Sequence, residues 1–476
     1  MGTDLTFSSR RSPVVCLHGC VASSQPLASS IGLDVLKRGG NAADAAVAIA
    51  AALAVTEPCS TGPGGDAFCL FYNGKTGEIR GINSSGRFPR ALTLDFLEGQ
   101  GYTAENPPSV FDALNVTVSG ALACWCDTVQ LLGSHKLSLQ EVLSGAVELA
   151  EVGFPVAELT AHHWANWKSA LRDAGKGGEL MIDGHAPKCG QVFQNAGLAR
   201  TLKELGERGK PAFYQGRVAQ AIVDVINQNG GVMTLDDLSS HDSEVVTPIS
   251  TEYKGVCLWE LPPNSQGLAA LLTLNIMENF PQLKAKGHNS SDYMHVLVEA
   301  VRLALTDALR YLGDSSHVTI PLETLLDKGY SHQRAQLIST DRLEPGLMTE
   351  SDTVYFCVRD SEKNACSFVN SNHMEENSSK LCCMWSHFFP AGQWLVNLEE
   401  GIDQKVAEEL KRRGHRVNWP VSGHKRSQFG RGQIIAVGDW WNPSVTQGDR
   451  PSRVLWAGSD PRADGCAQGC CLNLWF

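Results

Sequence analysis

Residues 42–55 constrain the fold more than any other stretch, because apart from Asp44 they contain only Ala, Val, Ile and Leu. Asn41 is a good cap for a helix that begins at position 42. Asp44 places a negative charge in the first turn, where it suits the helix dipole. A helix that is apolar on every side has no face for solvent. The stretch therefore predicts a helix that is buried all around and closely packed.

The composition allows a large core and favours a small-molecule partner. Of the 476 residues, 43% are hydrophobic and 19% are charged, which is typical of a soluble protein with one large domain or two to three ordinary ones. The formal net charge of -11, with no run of Lys and Arg that reverses it locally, argues against a nucleic-acid surface. The first residues lack the apolar segment of a signal peptide, and no stretch of about twenty apolar residues occurs. We therefore expect no membrane insertion and a cytoplasmic location.

The 15 cysteines are scattered through apolar segments, whereas the cysteines of a disulfide scaffold are regularly spaced in a short chain. Reduced, buried thiols are therefore expected. Neighbouring cysteines occur, but they do not form paired Cys-x-x-Cys sets with matching histidines, which a structural zinc site needs. We predict neither a bound metal nor a cofactor.

A polar loop followed by an alternating strand lies at residues 346–360. The loop ends at Asp352, and from Val354 onward the side chains alternate as in a strand. A second strand over residues 365–370 is expected to pair with it as a hairpin. An exposed loop at this place can be cut. On this pattern alone Thr353 is an ordinary strand residue, so other motifs must decide whether it has a catalytic role.

Residues 59–68 form a glycine-rich loop that leads into a hairpin, predicted over residues 69–73 and 78–83. The glycines fit either a tight turn or the close approach of a ligand. They do not match a dinucleotide-binding loop, which needs a strand before the glycines and a helix after them. Arg87 follows the hairpin, where it can clamp a substrate carboxylate or can simply be solvated or salt-bridged.

The remaining pattern is mainly helical, with a strand expected over residues 251–260. Helices are predicted at residues 31–38, 121–132, 139–152, 197–205, 217–229, 268–279 and 292–312. Near the C-terminus, Arg462 and Asp464 are expected to form a buried ion pair. No Gly-x-Ser-x-Gly elbow indicates a serine hydrolase. The histidines are interpreted as isolated residues rather than catalytic bases: His18, His241, His295, His415 and His424.

Several separated motifs occur in the order found in one known family. They are VASSQPLA at residues 21–28, GGNAADAA at 39–46, GPGGDAF at 62–68, FY at 213–214, GGVMTLDDL at 230–238, DTVY at 352–355 and AGSDPRADG at 457–465. Through them the chain resembles the γ-glutamyltransferase (glutathione hydrolase) family of N-terminal-nucleophile hydrolases, nearly from end to end. The resemblance implies an α+β fold, a four-layer αββα sandwich. It also implies a precursor cut into a large chain, residues 1–352, and a small chain, residues 353–476, which together form one composite domain.

The resemblance assigns roles to five residues. Thr353 matches the nucleophile, whose hydroxyl attacks a γ-glutamyl amide while its freed α-amino group, with a pKa of about 7.7 to 8.0, takes up the proton. Ser371 matches a supporting hydroxyl residue, with a simple turn serine as the alternative. His373, or its neighbour Asn372, stands where the family has a substrate-binding Asn. Arg87 lies two positions beyond the family's carboxylate-binding Arg. The implied partners are glutathione or a related small-molecule γ-glutamyl amide, water or an amino acceptor, and the two cleaved chains for each other.

The resemblance breaks after Met374 and resumes near Leu398. In the family this block supplies the acid that binds the substrate amino group, a serine pair and the glycine amides of the oxyanion hole. Its loss predicts an incomplete central sheet and a weak enzyme, because removing even one oxyanion donor lowers turnover by about two to three powers of ten. Two hypotheses stay open: an active γ-glutamyl hydrolase or transferase, and an inactive or uncut relative, from splicing or a mistaken gene model, with a binding role or none.

Overall fold

The computed structural model describes residues 12–104, 106–109, 112–173, 177–343, 354–371, 395–438 and 454–471. Helices and strands are mixed along the chain, which confirms the predicted α+β class. The helices are α1 Pro26–Lys37, α2 Ala42–Thr56, α3 Leu94–Gly99, α4 Ala121–Leu132, α5 Leu139–Val152, α6 Glu158–Asp173, α7 Ala196–Arg208, α8 Pro211–Tyr214, α9 Arg217–Gln228, α10 Leu235–Ser239, α11 Gly267–Met277, α12 Leu283–Lys286, α13 Ser291–Tyr311, α14 Leu322–Leu326, α15 Lys328–Ala335 and α16 Gln404–Arg412. In the part of the chain that the structure describes, no helix is both long and apolar enough to cross a membrane.

The strands are short and come from both ends of the chain. They are β1 Val14–Cys16, β2 Gly19–Ser23, β3 Asp66–Tyr72, β4 Ile79–Ser84, β5 Phe154–Pro155, β6 Val192–Phe193, β7 Glu244–Val246, β8 Ile249–Tyr253, β9 Val256–Glu260, β10 Val354–Arg359, β11 Ala365–Ser371, β12 Leu395–Glu399, β13 Arg416–Val421, β14 Gln433–Val437, β15 Leu455–Ser459 and β16 Cys466–Cys470.

The described residues form two compact units. The sheet unit contains the described residues within 12–245, 354–371, 430–438 and 454–471, and the helical unit contains residues 246–343 and 395–429. Each unit therefore has residues from both sides of position 353. The division into residues 1–352 and 353–476 concerns a covalent cut rather than these units, and it stays a prediction.

The sheet unit is built around a seven-stranded sheet with the order β16-β2-β10-β11-β3-β4-β7. Strand β10 lies inside it, antiparallel to β2 on one side and to β11 on the other. The predicted hairpin of β10 and β11 is confirmed. In the β-sheet register Val354 pairs with Asn370, Asn370 with Ala67, and Ala67 with Ser84. The residue that follows Thr353 thus begins a row that crosses four strands.

Helix α2 is the centre of the hydrophobic core, as its composition predicts. Every one of its residues is buried, and Asn41 with Asp44 forms a complete capping box. The helix packs on β10 and β11 and is surrounded by α1, α4 and α5. A Cβ added at Gly32 of α1 would lie 2.5 Å from the Ile49 side chain of α2, so this helix pair is as close as glycine allows.

A second sheet, with the order β1-β15-β14, packs against β2, β10 and β16. Side chains on β2 alternate between the two neighbours: Val21 belongs to the core with the helices, whereas Cys20 packs with Leu455 and Ala457 of the second sheet. Within this unit the described residues therefore stack as helices, seven-stranded sheet and second sheet. The predicted gap in the central sheet concerns residues after Met374 that lie outside the described ones, and it stays a prediction.

The helical unit contains α11, α13 and α15 around a small core, and α16 beside the parallel pair β12 and β13. The single strand predicted over residues 251–260 is wrong, because the segment is the hairpin β8 and β9. Lys254 and Gly255 form its turn with φ angles of 51° and 81°. Glycine adopts this backbone readily, but the apolar residues on both sides hide the turn in a sequence pattern.

Candidate active site

The residues around the start of β10 define the candidate active site. Thr353, Asn372 and His373 lie outside the described residues, so their roles stay predictions. Val354 follows directly on Thr353 and pairs with Asn370. Ser371 is the last residue of β11, is buried, and pairs in register with Asp66.

Asn370 fastens the glycine-rich loop to the end of this hairpin. Its side chain is fully buried, and its Oδ1 accepts a hydrogen bond of 2.9 Å from Trp125 Nε1 of α4. Its Nδ2 donates to Thr61 Oγ1 and, at 3.5 Å, to the carbonyl of Gly62. Sequence reasoning missed this residue, although an Asn in an otherwise apolar strand signals a buried polar contact.

The glycine-rich loop is also fixed from its other side. The carbonyl of Gly65 accepts hydrogen bonds from Gly120 N at 3.1 Å and Ala121 N at 2.9 Å, at the beginning of α4. A Cβ at Gly120 would lie 1.7 Å from the carbonyl oxygen of Ser84, so only glycine fits there. The loop is thus a tightly packed element between β11, β4 and α4.

Asp66 joins this loop to the segment that carries Arg87. Its Oδ1 accepts a hydrogen bond of 2.9 Å from Gly86 N. Burial raises the pKa of the Asp66 carboxyl to about 6, although the backbone N–H groups of Gly86 and Gly120 and the hydroxyl of Ser85 act in the opposite direction. The carboxyl therefore changes charge in mildly acidic solution while holding two loops together.

Arg87 is salt-bridged in this structure. Its guanidinium contacts the carboxylate of Glu244, with side-chain exposures of 59% and 46%. Of the two interpretations of Arg87 from the sequence, a salt bridge rather than a substrate clamp is what the structure without substrate shows. Its binding of a substrate carboxylate stays a prediction.

His241 lies near the same segment and is not isolated. Its ring stacks on Tyr214 at 5.5 Å, and its Nε2 is 3.3 Å from Ser84 Oγ. Burial lowers the pKa of His241 to about 4, and the positive charge of Arg87 adds to this effect. The imidazole is therefore neutral at neutral pH. The sequence analysis interpreted His241 as isolated because its contacts lie 27 and 157 positions away along the chain.

The predicted ion pair of Arg462 with Asp464 is wrong. Arg462 pairs with Asp460 instead, at 2.9 and 2.6 Å. Asp464 accepts hydrogen bonds of 3.1 Å from the backbone N–H groups of Leu159 and Thr160, at the start of α6. The tight turn after β15 directs the two side chains to different partners, which residue spacing alone does not reveal.

Among the described residues, no group of three or more His, Cys, Asp or Glu side chains is placed to hold a metal ion. The cysteines that the structure describes are not joined in disulfides, and seven of these thirteen are buried.

Comparison with known proteins identifies the family. The model of the family described as gamma-glutamyltranspeptidase matches residues 28–381, more than half of the chain. The chain belongs to the gamma-glutamyltranspeptidase family. The match ends within the region where the resemblance was seen to break. The predicted family of γ-glutamyltransferase-like hydrolases is thereby confirmed.

Two curated relatives of this gamma-glutamyltranspeptidase family member are named as glutathione hydrolase or glutathione hydrolase-like proenzymes. The glutathione hydrolase-like YwrD proenzyme of Bacillus subtilis is 38% identical over 361 residues, which cover 75% of this chain and 67% of the relative. The glutathione hydrolase proenzyme of Escherichia coli is 32% identical over 366 residues, which cover 74% and 62%. The chain thus spans about two thirds of the length of these curated relatives.

The solved structure of a cephalosporin acylase from Bacillus halodurans shares the fold. It superimposes with a TM-score of 0.83 at 30% sequence identity, covering 98% of this chain and 99% of that one. The likeness supports the predicted fold of N-terminal-nucleophile hydrolases.

Proposed function

We propose that this chain is a γ-glutamyl hydrolase or transferase that cuts itself before Thr353 and uses Thr353 as its nucleophile. The observation that carries the proposal is the place of β10. This strand lies inside the seven-stranded sheet, directly after Thr353, and the family match runs through it. The related B. subtilis and E. coli proteins are named proenzymes, which supports processing of this chain as well.

In the proposed reaction the Thr353 hydroxyl attacks the carbonyl carbon of a γ-glutamyl amide. The new α-amino group of Thr353, which exists only after the cut, takes the hydroxyl proton and passes it to the leaving amine as the C–N bond breaks. Water or an amino acceptor then attacks the ester and gives a proton to the α-amino group, which passes this proton to the Thr353 oxygen as the ester bond breaks. Ser371, buried at the end of the neighbouring strand, is the proposed supporting hydroxyl.

The rigid surroundings of the β10–β11 hairpin fit this task. Asn370 and Asp66 connect the glycine-rich loop, the hairpin and the segment after β4 through buried hydrogen bonds. A nucleophile held by such a framework has little freedom to leave its reactive position. Together with the family match, this rigid framework favours an enzyme over the alternative of an inactive relative.

The direct test is to purify the full chain and look for the cut and for the reaction. We expect mass spectrometry to find a fragment that begins at Thr353, and a γ-glutamyl anilide to release its aniline. Absence of both in protein that is folded by circular dichroism would contradict the proposal. If the chain is cut but does not turn over the anilide, the proposed processing stands and the proposed γ-glutamyl substrate is wrong.

An acylase that removes a different acyl group is the second candidate. The observation that favours it is the likeness to a cephalosporin acylase over 98% of this chain. Arg87, the residue proposed to bind the substrate carboxylate, is also paired with Glu244 and is not a free arginine. A glutaryl amide, which lacks the α-amino group of a γ-glutamyl amide, distinguishes the candidates when the two are assayed side by side.

Arg87 is the proposed carboxylate-binding residue for either acyl group. Neighbouring strands lie about 4.8 Å apart, so the row from Val354 to Ser84 spans about 14 Å. Arg87 follows three residues after this row ends. An extended arginine side chain and a five-carbon acyl chain together can bridge such a gap, and the carboxylate must then displace Glu244.

Glu244→Gln is therefore expected to lower KM for γ-glutamyl anilide by about two- to fivefold, because an exposed ion pair contributes up to about 1 kcal/mol. KM for an uncharged acyl anilide should not change, which makes that substrate the matched control. An unchanged KM for both substrates in steady-state assays would show that Arg87 does not bind the substrate carboxylate.

A further inference from the structure

Residues 339–343, which we call the upstream segment, are the last described residues before position 353, and the helical unit holds them by their backbone. Arg413 makes two of these contacts. Its carbonyl accepts a hydrogen bond of 2.7 Å from Leu343 N, and its Nη1 donates to the Thr340 carbonyl at 3.1 Å. A Cβ added at Gly414, whose φ of 104° is a glycine conformation, would lie 3.3 Å from Leu343 Cβ, so the upstream segment passes close to this turn.

Arg413 is itself held rigidly. Its side chain is only 8% exposed, and it forms ion pairs with Asp292 of α13 at 2.5 Å and Glu409 of α16 at 3.0 Å. These partners raise the pKa of Arg413 against the effect of its burial. The guanidinium is therefore a fixed donor for the upstream segment.

A pair of buried histidines makes the third contact. His295 Nε2 is 2.7 Å from the Ser339 carbonyl, and His295 Nδ1 is 2.7 Å from His415 Nε2. The exposed fractions of His295 and His415 are 0% and 4%. Because a carbonyl can only accept, His295 carries its proton on Nε2, and its Nδ1 must accept from His415 when both rings are neutral.

An additional proton on this histidine pair would be unfavourable at either ring. His415 Nδ1 is buried and has no hydrogen-bond partner. A proton on His295 Nδ1 would have to be donated to His415 Nε2, and His415 would then carry its own proton on Nδ1, facing no acceptor. If His295 Nδ1 and His415 Nε2 were both protonated, two N–H donors would face each other. A proton on His415 Nδ1 would keep the His295–His415 hydrogen bond but would bury a charged N–H that faces no acceptor, so protonation of either ring weakens the contact.

Charged groups around the pair act in the same direction. Burial lowers the pKa of His415 from 6.5 to about 4, and His295 and the nearby Arg302 of α13 and Arg413 add to this effect. The acids on the same elements are engaged with these arginines: Glu299 pairs with Arg302, and Asp292 pairs with Arg413. Arg302 and Arg413 therefore oppose an additional proton on His415, although each arginine has an acidic partner.

We propose that the turn at residues 413–415 is the docking site for the upstream segment after the chain is cut, and that the His295–His415 pair releases the segment in acid. The proposal rests on the proposed cut before Thr353. The upstream segment and α13 then belong to the large chain, whereas the turn belongs to the small chain. Nine residues lie between Leu343 and Thr353, so the turn holds the large chain at a point close in sequence to its new end.

Hydrogen exchange of the processed protein tests the docking. In wild type we expect the Leu343 amide to be protected at pH 7.5 and to lose about one to two powers of ten of that protection at pH 4.5, after correction for intrinsic rates. The sign follows from the lowered pKa of His415: the docked form binds fewer protons, so docking is complete above pH 6.5 and weakens as the pH falls towards 4.

Two variants separate docking from its acid sensitivity. His415→Ala removes the partner of His295 and should lose about tenfold protection already at pH 7.5. His415→Gln should keep protection at both pH values, because its amide can donate to neutral His295 or, after turning over, accept from protonated His295. The exposed His317→Gln is the control and should behave as wild type.

The outcomes are decisive in both directions. Equal protection in wild type and His415→Ala would overturn the docking role, and acid release that persists in His415→Gln would overturn the role of the histidine pair. The same exchange experiment on the uncut Thr353→Ala chain reports the contact without the cut. A protected but uncut wild-type chain would thus reject the proposed processing while leaving the contact intact.

Discussion

Thr353→Ala is expected to leave one full-length chain and to abolish release of aniline from a γ-glutamyl anilide. The substitution removes the hydroxyl that attacks both the peptide bond before residue 353 and the substrate. Loss of a catalytic nucleophile typically lowers kcat by about six powers of ten, so no activity should remain above background. A denaturing gel and the anilide assay measure the two effects on one preparation.

Thr353→Ser is the matched variant, because it keeps the hydroxyl and removes only a methyl group. It should still be cut and should retain measurable turnover. Circular dichroism of Thr353→Ala must match that of wild type, so that a loss of activity is not a loss of folding. If Thr353→Ala is cut or turns over substrate as well as wild type does, the nucleophile is another residue.

Arg431→Met is expected to lower the free energy of unfolding by about 3 to 5 kcal/mol. Arg431 forms an ion pair with Glu57 in which the side chains are only 9% and 5% exposed, and Glu57 also accepts from Ser24 Oγ. Without the guanidinium, a buried carboxylate loses its counter-charge. The Glu57 carbonyl also accepts from Thr61 N, so the glycine-rich loop should loosen and activity should fall. Urea denaturation at pH 7 measures the change.

Two controls assign this effect to the buried charge. Glu57→Gln combined with Arg431→Met leaves no buried charge and should recover most of the lost stability. Arg80→Met breaks the exposed pair with Glu78 and should cost no more than about 1 kcal/mol. A loss in Arg431→Met that is no larger than in Arg80→Met would mean that the Glu57 pair does not stabilise the fold.

Local patterns in the sequence predicted the central elements of the sheet unit well. Helix α2 has one dominant property, apolarity on every side, and only burial satisfies it. The hairpin of β10 and β11 follows from alternation and a polar turn, which are also local. Errors arose where a turn is short: the β8–β9 hairpin was taken as one strand because only two residues separate its arms.

Polar contacts between distant residues could not be predicted. Asn370 bonds to Trp125 across 245 positions, and His295 meets His415 across 120. Taken singly, each of these residues has an ordinary explanation as a strand end or an isolated histidine. Only the packing of strands on helices brings the partners together and removes the water that would otherwise satisfy them.

The sequence by itself determined the family, the buried helix α2 and the place of Thr353 before a strand, because each depends on short runs of residues in a given order. The tertiary structure alone decided the partners: Glu244 for Arg87, Asp460 for Arg462 and His415 for His295. These choices depend on side-chain direction, burial and register. A polar group in the interior takes whichever partner the packed backbone brings within hydrogen-bonding distance.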